Sequence, residues 1–316
     1  MFRHPTGTAV PGWLISRHRP WLAVLVAGLL AVSLPATSHA GPAFTVCPSG
    51  CPYSTIQAAI NAAASGDTIH VGPGTYSEFL TISKPLTIEG AGEQQTIVDS
   101  TGTRNSVVTV TANSVRLAHL TVTGAILHGG GGGVINQPGA TLTLDHTTVS
   151  GNSAIGGGGI DNQPGATLTL DHSTVSGNSA PRGGVGGGIA NSGLLALDHS
   201  TVSGNSATGG GGGIYNSGTL TLDHSTVSGN TANHQGGGIY NSGTLALDHS
   251  TVSGNTANNQ GGGIFNNGTA TLTHSELLNN SASDGGAIYN DGGTVTLDKT
   301  DVQGNSTPQC EPTTLC

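Results

Sequence analysis

From about residue 130 onward, apolar and polar positions alternate in short bursts that recur at a nearly fixed interval. The stretch Gly211 to Ala232 reads GGGIYNSGTLTLDHSTVSGNTA, and related copies flank it on both sides. Measured on the Asn of GGGIYN, the copies stand at Asn136, Asn162, Asn191, Asn216, Asn241, Asn266 and Asn290, in steps of 26, 29, 25, 25, 25 and 24 residues. A period in the twenties predicts a solenoid. Within one copy, Leu220 and Leu222 alternate with Thr219 and Thr221, so the leucines share one face of a strand and the threonines the other. Ile214 and Val227 sit in two further short β-prone runs. Gly or Asn-Ser-Gly separates the runs, and none is long enough for a helix.

Three short strands per copy cannot bury their apolar faces alone. Stacked in parallel they make one continuous interior of Ile, Leu and Val. The expected fold is therefore all-β, a parallel β-helix whose equivalent residues form columns at about 4.8 Å spacing. Regular repeats run over 131–306 and less regular coils over 67–130. Ahead of them, Ser54-Thr-Ile-Gln57 reads as a capping box, and Ile56, Ala59, Ile60 and Ala63 follow at helical spacing until Ser65-Gly66. This predicts a capping helix over 54–65, laid across the open first coil, where it blocks end-to-end association.

GGGI at 211–214 and Val227-Ser-Gly-Asn230 resemble the GGAI and FxxN repeats of chlamydial polymorphic membrane proteins, with Val in place of Phe. TIQAAINAAASGDTIHVGPGTYSE at 55–78 is similar to the entry segment of the pectin-lyase-like superfamily. The resemblance covers roughly 54–306 and implies a single-stranded right-handed parallel β-helix and secretion. That superfamily contains many polysaccharide lyases and hydrolases. A lyase needs a carboxylate cluster for calcium with an Arg or Lys base beside it, and a hydrolase needs two carboxylates set across the sugar. Neither set of motifs is present. Asp99, Arg104 and Arg116 come nearest to a catalytic group, in the half where unique charges concentrate. No catalytic, cofactor or metal residue is assigned. The expected function is non-catalytic binding or adhesion, to a polysaccharide or cell-surface glycan. The alternatives are a polysaccharide lyase or glycoside hydrolase working in the irregular half, and a calcium-stabilised or ice-binding-like structural protein.

Residues 1–40 read as a signal peptide. Arg3, Arg17 and Arg19 precede an apolar run from Trp21 to Leu34, and Ser38-His39-Ala40 forms a cleavage site. The run is too short to span a bilayer, so no membrane span is expected after cleavage. Without the leader, five of the eight Lys and Arg face all 17 Asp and Glu, a net charge of −12. That sign argues against nucleic acid and acidic membranes as partners. The four cysteines form two close pairs, Cys47 with Cys51 in the 41–53 segment and Cys310 with Cys316 in the 307–316 tail. Stacked coils hold the two ends tens of ångströms apart, so each pair is expected to close locally.

Several columns carry chemistry. Asp145, Asp171, Asp198, Asp223, Asp248 and Asp298 recur at one position, with Thr273 breaking the line. Carboxylates stacked at ~4.8 Å repel by roughly 1–3 kcal/mol per contact, so splaying into water or bridging by calcium is expected to offset them. His146, His172, His199, His224, His249 and His274 lie next to them, with Lys299 ending the row. A zinc or nickel site needs three or four convergent ligands, so the histidines are expected to play the structural part of a stacked amide, with a hydrogen bond at each nitrogen. Thr-x-Thr pairs such as Thr219/Thr221 resemble the flat face of ice-binding β-helices. Tyr215, Tyr240, Phe265 and Tyr289 are expected to face outward in one row, the best candidate for a sugar-binding surface. The Asn column from Asn152 and Asn178 to Asn280 and Asn305 is expected to be structural. The longer copies place extra residues near Ile155 and at Pro181–Val185, expected as surface loops.

Overall fold

The computed structural model describes residues 44–101 and 103–316, so the leader expected over 1–40 lies outside the described residues. Short strands wind into three parallel sheets of 11, 10 and 10 strands, the architecture of a parallel β-helix of about eleven turns. The first sheet runs from Phe44–Val46 to Thr294–Asp298, the second from Leu80–Ile82 to Cys310–Glu311, and the third from Gly74–Tyr76 to Asp301–Gln303. A minor fourth ladder, Ser179–Ala180 to Thr256–Ala257, adds two-residue strands to four of the regular coils.

The registers are those that the repeat demands. Leu220 and Leu222 pair with Leu195 and Leu197 on one side and with Leu245 and Leu247 on the other. All six point inward and are buried, as are Ile214 and Val227. Alternation thus becomes one apolar interior running from Phe44 to Cys310.

At the N-terminal end the helix spans Ile56–Ala62 and buries Ile56, Ala59 and Ile60. Its cap is Thr55, one residue later than the capping box predicts, with its hydroxyl accepting from the Ala58 N–H at 3.3 Å. The box does not close because the Glu78 carboxylate, from across the first coil, takes the Ile56 and Gln57 N–H groups at 2.7 and 3.0 Å. An anion at a helix N-terminus satisfies the same orphan donors and anchors the helix to the coil it covers. The 41–53 segment is more than a cysteine clip, since Phe44–Val46 already forms the first strand of the first sheet, paired with Ile69–Val71. Both disulfides close locally, with Cα–Cα distances of 5.5 Å for Cys47–Cys51 and 5.8 Å for Cys310–Cys316. The tail adds Cys310–Glu311 as a final strand against Ile288–Tyr289.

Three corners close each coil, and each holds a buried polar ladder. In the first, Asn152, Asn178, Asn205, Asn230, Asn255, Asn280 and Asn305 are almost wholly buried. Asn230 accepts from the Asn205 N–H and side-chain amide at 2.9 and 3.0 Å, and donates to Asn255 Oδ1 at 2.9 Å and to the Val202 carbonyl at 3.0 Å. Gly213 lies against this ladder, where a Cβ would come within 2.9 Å of the Asn230 amide, so a larger side chain would force the amide to shift. In the second, Asn136 through Asn290 are linked amide to amide at 2.7–2.9 Å. Its first member exposes the cost of starting such a ladder: Asn136 Oδ1 is buried with no partner, because Val110 stands in the coil before it. In the third, the hydroxyls of Ser173, Ser200, Ser225, Ser250 and Ser275 each accept the backbone N–H of the preceding coil's equivalent at 3.0–3.2 Å.

Asn230→Ala orphans the Asn205 backbone N–H and one N–H of its side-chain amide, and is expected to cost about 2–6 kcal/mol, at roughly 1–3 per buried unpaired group. Thr221→Ala, on the outer face, is expected to stay within about 0.5 kcal/mol. Denaturant melts of the two variants check the contrast, and equal losses would show that the ladder is not what holds the corner.

Candidate functional site

The outer surface follows from the corners. Where the first sheet turns into the third, one residue per coil must adopt a left-handed backbone, and the chain uses His there: His146, His172, His199, His224, His249 and His274 have φ of 43–48°. His is among the few non-glycine residues enriched in that region. The turn throws each ring outward, about half exposed, and parallel to its neighbours at 4.8–5.1 Å. His119 extends the stack by one ring, tilted by 38° at 5.1 Å, a member that sequence reasoning missed because its coil lacks the Asp-His pair.

Five of the six aspartates answer the repulsion expected along their column by holding the histidine that follows. Nδ1 of His146, His172, His199, His224 and His249 lies 2.5–2.9 Å from the preceding aspartate. A carboxylate only accepts, so Nδ1 carries the proton and Nε2 is left as the open acceptor. The histidines therefore bond at one nitrogen, not at both as a stacked amide would. Asp145 is further bound by Arg116, through Nε at 3.1 Å and through Nη2. Burial works to raise its pKa, but the hydrogen bonds and charges of His146 and Arg116 outweigh burial and hold it below the usual value.

The aromatic row lies on the second sheet. Tyr215, Tyr240, Phe265 and Tyr289 stack with centroids 4.7, 4.9 and 5.6 Å apart and planes within 13°. The row is outside the core, but its ring faces are spent on each other, and Phe265 is buried at 1% exposure instead of facing outward as expected. What remains for a partner is the edge of the row and the hydroxyls of its three tyrosines. Burial, then the charges of Tyr215 and Asp291, raise the Tyr240 pKa. The paired threonines of the first sheet face outward as expected.

Asp99, Arg104 and Arg116 are not brought together as one site. Asp99 ends a strand of the third sheet and binds Thr101 at 2.6 Å, while Arg116 lies on the first sheet, tied to Asp145. Arg104 instead lines an open cavity of about 600 Å³ with Ser106, Ile126, His128, Gly131 and Ile135. Sequence reasoning missed this cavity because a loop from each of two coils forms it. Gly131, in its wall, passes so near Asp161 that a Cβ there would lie 2.5 Å from the Asp161 Cβ. Burial raises the Asp161 pKa, partly offset by a hydrogen bond from Gln163 at 3.1 Å.

A carboxyl whose folded pKa is raised penalises folding once it ionises. The penalty is absent at pH below its unfolded value and complete above the folded one. Asp161→Asn keeps an acceptor for Gln163 and is expected to raise the melting temperature at pH 7 and leave it unchanged near pH 3. Calorimetry at both values checks this, and an equal shift at both would refute burial as the cause.

Comparison with known proteins agrees with this geometry. The Chlamydia polymorphic membrane protein (Chlamydia_PMP) repeat matches residues 199–217, 224–242 and 275–291. A cell surface glycoprotein of Methanothermus fervidus is 33% identical over 95 residues, which is 29% of this chain and 15% of that protein's length. Pectate lyase Pel9A superposes with a TM-score of 0.53 at 18% identity, over 84% of this chain and 80% of the enzyme. The deglycosylated pectin methylesterase of Aspergillus niger gives 0.52 at 16% identity, over 84% and 87%. Among the described residues no helix is long and apolar enough to cross a membrane. The chain is a right-handed parallel β-helix of the pectin-lyase-like fold, with coils built from repeats like those of the chlamydial polymorphic membrane proteins.

Proposed function

We propose that the protein is an extracellular, non-catalytic β-helix that binds a repeating surface polymer, a polysaccharide or cell-surface glycan, through its periodic outer faces. One observation carries this reading: successive coils pair in strict register, so equivalent outward groups stand in columns along the axis, the aromatic row over four successive coils. A lattice of that kind complements a polymer with its own repeat, whereas catalysis needs one asymmetric constellation. The net charge of −12 without the leader speaks against polyanions such as nucleic acid. The two disulfides fit an oxidising, exported location. The cell surface glycoprotein similarity and the fold shared with two pectin-acting enzymes support a surface setting and a carbohydrate partner.

The edge of the aromatic row is the proposed contact. Its stacked rings are already ordered, so binding there costs little side-chain entropy. The full-length protein, expressed with its leader, is expected to emerge processed after Ala40 and to be retained on at least one insoluble polysaccharide. Tyr215→Ala with Tyr240→Ala is expected to weaken that retention by roughly tenfold or more, about 1.4 kcal/mol. Unchanged retention would remove the row from the interface.

The cavity beside Arg104 favours a second reading, a polysaccharide-degrading enzyme, because it is an asymmetric feature bordering the irregular half and has a carboxyl with a raised pKa against its wall. New reducing or unsaturated sugar ends on incubation, lost in Arg104→Ala, would select it over the binding reading.

A further inference from the structure

The Asp-His ladder changes character at one coil. In the coils from His146 to His249 the carboxylate of the preceding Asp occupies the imidazole Nδ1. At the next coil Thr273 replaces the aspartate, so His274 has no carboxylate of its own. Its Nδ1 turns to the coil before, 3.9 Å from Asp248 Oδ1, while that same oxygen lies 2.9 Å from His249 Nδ1. One carboxylate thus serves two imidazoles, and the three donor atoms all fall within 4.8 Å of one another. The repeat breaks again beside it. Glu276 stands where Thr251 stands one coil earlier, and its side chain lines a shallow cavity of about 280 Å³ together with His224, His249 and His274.

We propose that this break is a binding site for a divalent transition-metal ion of the imidazole-preferring class, Zn²⁺, Ni²⁺ or Cu²⁺. Asp248 Oδ1 and the Nδ1 atoms of His249 and His274 are its protein ligands, with water in the remaining positions. The donor set selects the class: imidazole suits these ions, whereas calcium takes six to eight oxygens. An ion at the ~2.0–2.2 Å bond lengths of such ligands spans this oxygen and nitrogen once their 2.9 Å separation opens by a few tenths of an ångström. The wider separation to His274 closes by rotation of an exposed ring. Binding displaces the proton from each Nδ1 and moves it to Nε2, so the ion replaces the hydrogen bond that elsewhere joins Asp to His. Glu276 at the rim and the acidic surface add negative charge that favours a cation.

Lys299 opposes the ion. Its ammonium lies 3.2 Å from His274 Nε2, to which it donates. That contact keeps Nε2 an acceptor and the proton on Nδ1, the tautomer that excludes the metal. Lys299 is therefore a competitor built into the end of the row, and its removal is expected to strengthen binding.

This inference is independent of the polymer-binding reading, since its readout is the metal alone. The test is isothermal titration of the full chain with Zn²⁺ and Ni²⁺, with Ca²⁺ as the control ion. The expected result is one saturable Zn²⁺ or Ni²⁺ site per chain and none for Ca²⁺. His274→Asn, an exchange that the left-handed turn tolerates, and Asp248→Asn are each expected to weaken it at least tenfold. Lys299→Ala is expected to tighten it several-fold. His172→Asn, in a coil where the Asp-His pair is complete, is expected to leave it unchanged. Circular dichroism confirms that each variant stays folded. The proposal is overturned by the absence of saturable Zn²⁺ or Ni²⁺ binding, by unchanged binding in His274→Asn, or by several equivalent ions per chain whose number falls with His172→Asn.

Discussion

Buried amide and hydroxyl ladders hold this β-helix to a single register. Apolar columns alone favour stacking but not one alignment, because a Leu meets an Ile or Val of a slipped coil nearly as well as another Leu. An Asn at the coil corner is less tolerant. Asn230 engages groups on the coils before and after it, so a shift of one residue would bury those donors and acceptors unpaired. Three such ladders, one per corner, fix each coil against its neighbours. Sheets and surface columns then follow as consequences.

The outer chemistry inherits that rigidity. Because the serine ladder pins the corner after the first sheet, the residue before it must take a left-handed turn. From His146 to His249 the His in that turn then lies against the Asp beside it. Carboxylates that would repel along the axis are given an imidazole N–H from Asp145 to Asp223, and the same bonds hold the imidazole stack parallel. The aromatic row shows the opposite side of this order: rings placed so closely satisfy each other and leave little face for a ligand.

Much of this was legible in the sequence because the repeat averages out local ambiguity. One TLTL segment says little, but seven copies at a nearly fixed period specify sheets, direction and register together. The short disulfides and the helix over the first coil were legible for equally local reasons. What escaped was set by relations between coils. The Asn of GGGIYN was evident as the steadiest position, yet a polar residue between strands reads equally well as an exposed turn. Its burial depends on the neighbouring backbone closing over it. The serines at 173 to 275 were hidden in the same way. Phe265 reads as outward from alternation, and it is buried because Tyr240 and Tyr289 stand against both of its faces. Phe44–Val46 passed unnoticed because a strand of three residues before two cysteines has no period to announce it.

Repetition and specificity pull in opposite directions in a solenoid. Each copy that is kept strengthens the ladders, and each copy that is kept also makes the surface more uniform, so distinct chemistry collects where the pattern is allowed to lapse. The interior ladders run unbroken through the regular coils, while the outward positions vary: Thr273 for Asp, Glu276 for Thr, Asp161 and Ala190 in the column of the tyrosines, and the loops around His128 and Arg182. Substitution outside the wall leaves the corner hydrogen bonds intact and costs little stability. The β-helix can therefore acquire a local site at almost any coil without disturbing its register, and the places where its outer columns are interrupted are where such sites are physically least expensive to build.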